Sequence, residues 1–83
     1  MSRKTKTVVT WQSVGSQNDL VSLANAVREA AFRDSRVADY DLYLFRPEYS
    51  FFSKPTKLTV EIRGSVSARD LVAEVKAGEH GAW

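Results

Sequence analysis

His80 is the one histidine of the chain, and it stands in the tail segment EHGAW. An imidazole works as a general base or a metal ligand only with a second group that orients it or shares the ion. The tail offers no second metal ligand, so His80 is read as a solvated residue. Serines are plentiful, but VGSQN lacks the G-x-S-x-G elbow that exposes a nucleophile, and no glycine-rich phosphate loop is present. Asp39 and Asp41 are two residues apart and would share one face of a strand, a spacing that permits acid/base work. Their ordinary reading is a pair of acids in water at the start of a strand. No catalytic site, metal site or cofactor is expected, and the chain is read as non-enzymatic.

Two constellations have the chemistry of binding instead. The first is a strand surface. Tyr43 and Phe45 alternate with Leu42 and Leu44, and they fall on the same side as Lys57, Thr59 and Arg63 of the next strand, joined by Lys6 and Thr10 of the first. Flat rings among cations suit single-stranded nucleic acid, with rings stacking on bases and cations meeting phosphates. The competing expectation is that these rings are covered, either by a second helix that carries Leu71, Val72 and Val75 or by another subunit. The segment KLTVEIRG does not carry the aromatic pattern of an RNA recognition motif.

The second constellation is the loop RPEYSFFSKPTK, residues 46–57. At about ten residues it exceeds the usual hairpin connection of about two to five, which favours a functional loop or one that folds back on the domain. Arg46, Tyr49, Phe51, Phe52 and Lys54 are the residues that would engage a protein partner, because aromatics and arginine dominate binding hot spots. Phe51 and Phe52 are adjacent and leave an extended backbone in opposite directions, so one is expected to anchor a partner and the other to close the core. The alternative is that the loop packs its rings on Trp11 or Trp83.

These side chains need elements to position them. Residues 5–14, TKTVVTWQSV, alternate in the manner of a strand. Ser16 and Asp19 have the spacing of a capping box, and the stripe Leu20, Leu23, Ala24, Val27, Ala30 and Ala31 predicts a helix running to about Asp34. Residues 40–46 and 57–63 alternate again and are expected to form a long antiparallel hairpin. Ser67 and Asp70 repeat the capping box, which predicts a short helix over 68–77 ended by Gly78 in a left-handed conformation. The fold class is α+β, in the order β-α-β-β-α. A three-stranded mixed or antiparallel sheet carries the long helix on its Leu42, Leu44, Leu58, Val60 and Ile62 face, with strand order open. Residues 1–4 and 79–83 are expected to be tails.

Composition agrees with one small folded domain. The 83 residues are 43% hydrophobic and 27% charged, without cysteine and hence without a disulfide framework. Net charge is +2, but residues 1–13 hold Arg3, Lys4 and Lys6 with no acid, so positive charge collects on strand segments. No apolar run approaches the roughly 20 residues of a membrane span, and the basic start lacks the apolar stretch of a signal peptide. A cytoplasmic chain that makes no membrane contact is expected. It is read as an adaptor, inhibitor or assembly subunit that binds a protein partner through the hairpin loop and sheet surface. The alternative is a nucleic-acid-binding module that uses Lys6, Tyr43, Phe45, Lys57 and Arg63. A domain of this size also gains from pairing the exposed edge of its sheet with a second copy.

Overall fold

The computed structural model describes residues 3–47, 54–81 and 83. Strand β1 (Arg3–Thr10) leads through a helical turn α1 (Trp11–Val14) to the long helix α2 (Gln17–Arg33). Strands β2 (Val37–Phe45) and β3 (Lys57–Gly64) follow, and then helix α3 (Ala68–Lys76). Both serines cap their helices: the amide of Asp19 donates to Ser16 Oγ at 3.1 Å, and that of Asp70 to Ser67 Oγ at 3.1 Å, which is the N-cap half of each expected capping box. Each satisfies one of the orphan amides at a helix start. At the end of α3, Gly78 takes φ +81, with its amide donating to Val75 O and the Glu79 amide to Glu74 O. This is the double closure of a Schellman cap.

The sheet is wholly antiparallel, in the order β1-β3-β2. The central strand is β3. Since β1 and β2 both run against it, they are parallel to each other but never adjacent. Alternation along β3 sends Leu58, Val60 and Ile62 to one side, where all three are fully buried. Helix α2 lies over β2 and β3, α3 lies over β1 and β3, and the two helices touch. The core they enclose is apolar: Leu20, Leu23 and Val27 of α2 and Leu71 and Val75 of α3 meet the strand residues, with Leu42 and Leu44 half-buried at the margin. Each fully buried aliphatic side chain stabilises the fold by about 1.5–3 kcal/mol.

Three expectations are corrected. The first strand stops at Thr10 and does not run to residue 14. A helical turn sets Trp11 and Val14 on one face, so both pack against the core, whereas a strand would send them to opposite sides. Gly15, at φ +107, closes that turn through its amide to Trp11 O. The expected tails are partly structured, for Arg3 and Lys4 pair with Gly64 and Arg63 inside the sheet, and Glu79 and His80 continue the turn after α3. Finally, α3 does not cover the Tyr43 and Phe45 face. It shares the core layer with α2 and leaves the opposite side of the sheet without a helix among the described residues.

Candidate functional site

The open sheet face is a grid set by strand register. Lys4, Arg63 and Asp39 form its first row, and Lys6, Glu61 and Asp41 the second. Val8, Thr59 and Tyr43 form the third, and Thr10, Lys57 and Phe45 the fourth. One half is therefore charged, and the other carries Val8, Tyr43 and Phe45 among Thr10, Thr59 and Lys57. Val8 is 50% exposed, Tyr43 54% and Phe45 57%; Tyr43 and Phe45 are neighbours along β2, and Val8 faces Tyr43 across Thr59. Lys57 holds its ammonium 5.8 Å from the centre of the Phe45 ring, within cation–π range.

All five residues proposed for a nucleic-acid surface, Lys6, Tyr43, Phe45, Lys57 and Arg63, lie on this face and are exposed. The register also brings in residues that alternation alone did not single out as a site. Val8 is the apolar one, and its signal was its adjacency to Val9: in a strand only one of the two can face the core, and Val9 does. Asp39, Asp41 and Glu61 are the acidic ones. Against them stand Lys4, Lys6, Lys57 and Arg63, so the face is close to neutral. Lys4 reaches Glu61 at 3.4 Å. Asp39 accepts from the Tyr40 amide at 2.9 Å. A shallow depression between these charged rows has room for little more than a water molecule.

The hairpin loop springs from the aromatic end of the face. Its base is fixed by two backbone bonds: the Thr56 amide donates to Phe45 O at 2.9 Å, and the Trp11 amide to Thr56 O at 3.2 Å. Arg46 and Lys54 are exposed beside that base, and Pro55 is buried. Tyr49, Phe51 and Phe52, the remaining loop residues assigned to partner binding, lie outside the described residues. Trp83, one of the two tryptophans named as a packing partner for the loop, is 44% exposed.

A second polar cluster joins the turn before β2 to α3. Arg36 donates to both Asp34 oxygens, the shortest bond being 2.7 Å, and to Glu74 Oε1 at 2.6 Å. His80 lies 3.0 Å from the same Glu74 oxygen, so it is not the solvated tail residue expected. Asp34, Glu74 and His80 each bring a ligand atom within 4.8 Å of the others, a second and third donor that the tail sequence did not reveal. The Arg36 guanidinium already serves as the cation of this group. Its hydrogen bonds hold the Asp34 carboxyl down to about 2, with the Arg36 backbone amide assisting and burial opposing. They lower Glu74 as well, while Arg36 itself is raised, first by Asp34 and then by Glu74.

A carboxylate whose folded pKa is depressed contributes stability above its unfolded value, near 3.8, and loses it as pH falls toward the folded value. The melting temperature should therefore hold steady from neutral pH down to about pH 5 and then drop between about pH 4 and about pH 2. Asp34→Asn should reduce that drop. A pH profile identical in wild type and variant would show that the pair is not linked to folding.

Fold and site together define a two-layer α+β domain with one sheet face uncovered by helix among the described residues. Comparison of the chain with protein-family models, with curated proteins and with solved structures returns no match. No helix among the described residues is long and apolar enough to cross a membrane.

Proposed function

We propose that the chain is a non-enzymatic binding module that engages a protein partner through the open sheet face and the hairpin loop at its aromatic end. The observation that carries this reading is the exposure of Tyr43 and Phe45, neighbours along β2, with Val8 across Thr59 on the same face, beside charges of both signs. A protein interface combines an apolar, aromatic centre with a polar rim, and balanced charge gives orientation without demanding a polyanion. Arg46 and Lys54 would extend the rim along the loop, with Tyr49, Phe51 and Phe52 between them. An intracellular adaptor, inhibitor or assembly subunit fits this chemistry.

A second reading draws on Tyr43, Phe45 and Lys57, whose rings and cation could stack and neutralise single-stranded nucleic acid. Asp39, Asp41 and Glu61 on the same face oppose it, since each would repel phosphate. The test is affinity capture with wild type and with Tyr43→Ala/Phe45→Ala, followed by titration of the purified partner. The double variant should lose at least about 2 kcal/mol of binding with little change in its melt. Unchanged partner affinity would remove the face from the interface. Tight binding to an oligonucleotide, with a log-affinity against log-salt slope near −0.7 per phosphate contacted, would favour the second reading.

A further inference from the structure

Both β1 and β2 are edge strands, each with β3 as its strand partner among the described residues. Their charges are opposite. On the open face β1 presents Lys4 and Lys6, with Arg3 beside them, whereas β2 presents Asp39 and Asp41. Because β1 and β2 run in the same direction, a second copy placed beside the first without reversal would set its β1 parallel to this β2. With Lys4 and Lys6 level with Asp39 and Asp41, the equal spacing also brings Val8 and Thr10 level with Tyr43 and Phe45. On the core side the same register sets Thr7 and Val9 level with Leu42 and Leu44, which are only half-buried in the isolated chain. The helix layer continues too, since α3 lies over β1 and α2 over β2.

We infer that the chain associates with itself head to tail, the β1 edge of one copy adding in parallel to the β2 edge of the next. The closed alternative, two β1 edges meeting antiparallel about Thr7, would put Lys4 beside Thr10 and Lys6 beside Val8, with no acid to meet either lysine. Edge lysines commonly keep strands from pairing at random. Here Asp39 and Asp41 neutralise them for one partner edge only. The bulge at Ala38 precedes these residues and leaves the stretch from Asp39 to Phe45 in regular pairing. A heterologous contact of this kind continues to a ring or a filament, and strand twist of roughly 20–25° per strand makes the array coil. Each junction would extend the aromatic half of the open face, but the inference stands independently of what that face binds.

Sedimentation of the full chain over about 10 μM to about 1 mM at low salt should show an average mass that rises beyond twice the monomer. Raising ionic strength to about 0.5 M should weaken association at least about tenfold, because surface charges are then screened within a few ångströms. Lys4→Asp/Lys6→Asp makes both edges acidic, and Asp39→Lys/Asp41→Lys makes both basic. Each variant alone should remain monomeric, and an equimolar mixture should associate again. If either fails to fold, cysteine pairing decides, because the chain contains no cysteine of its own. Lys6→Cys mixed with Asp41→Cys should then oxidise to a heterodimer at least about tenfold faster than either alone. A wild type that stays monomeric, a mass that stops at the dimer, or charge variants that associate like wild type would each overturn the inference. So would a mixture that remains monomeric, or cysteine variants that cross-link no faster together than apart.

Discussion

Gly64→Ala is expected to cost more than about 3 kcal/mol, enough to abolish most of the stability of a domain this small. Gly64 closes β3 at φ +155, where L side chains are rarely found. A Cβ built there would lie 2.1 Å from the carbonyl oxygen of Arg36 and 3.1 Å from the amide nitrogen of Ala38. The first obstacle is backbone, so no side chain can swing aside to relieve it. That carbonyl also accepts the Ser65 amide at 2.9 Å, and Gly64 pairs with both Arg3 and Val37. Moving the Arg36 peptide would disturb the bulge, both ladders and the Arg36 ion pairs together. Denaturant unfolding measures the loss, and a midpoint close to wild type would mean that the backbone relaxes there without penalty.

Val60→Asp is expected to prevent folding. Val60 is fully buried at the middle of the central strand, paired with Thr7 on one side and Leu42 on the other. A carboxylate at this position has no cation within the core, where no polar or charged residue is fully buried among the described residues. An uncompensated buried charge is among the few single changes that exceed the whole stability of a small domain. Thr59→Asp, one residue away on the open face, should cost only about 1 kcal/mol, in keeping with strand preferences. A cooperative melt for Val60→Asp near that of wild type would remove β3 from the core.

The contrast between Val60 and Thr59 also marks how far the sequence could be read. Alternation in KLTVEIRG separates core from surface because strand geometry is local, and Ser16 and Ser67 announce their helices because a cap needs only three residues. The same locality placed Tyr43, Phe45, Lys57 and Arg63 on one face. Pattern fails where the deciding partner is distant. Leu71, Val72 and Val75 show that α3 has an apolar side but not which layer receives it, and that choice decides whether Tyr43 is covered. Trp11 and Val14 read as strand because their preference is overridden by a core reached only from a helical turn. Glu74 lies 38 positions beyond Arg36, so nothing near either residue announces their bond.

The order β1-β3-β2 has a temporal consequence. Strand β1 cannot pair with β3 until residues 57–64 exist, whereas β2 and β3 are separated only by the hairpin loop and can pair soon after β3 appears. Thr5 shows the dependence at a single side chain: its hydroxyl donates to Ile62 O at 3.3 Å and accepts from the Ala68 amide at 2.7 Å, groups 57 and 63 positions away. Closing the larger loop costs more chain entropy than closing the hairpin, and non-local pairing of this kind slows folding. During synthesis β1 therefore waits, unpaired, until β3 has emerged. Its three cations, Arg3, Lys4 and Lys6, keep that waiting segment hydrated and hold it apart from the same strand of neighbouring nascent chains.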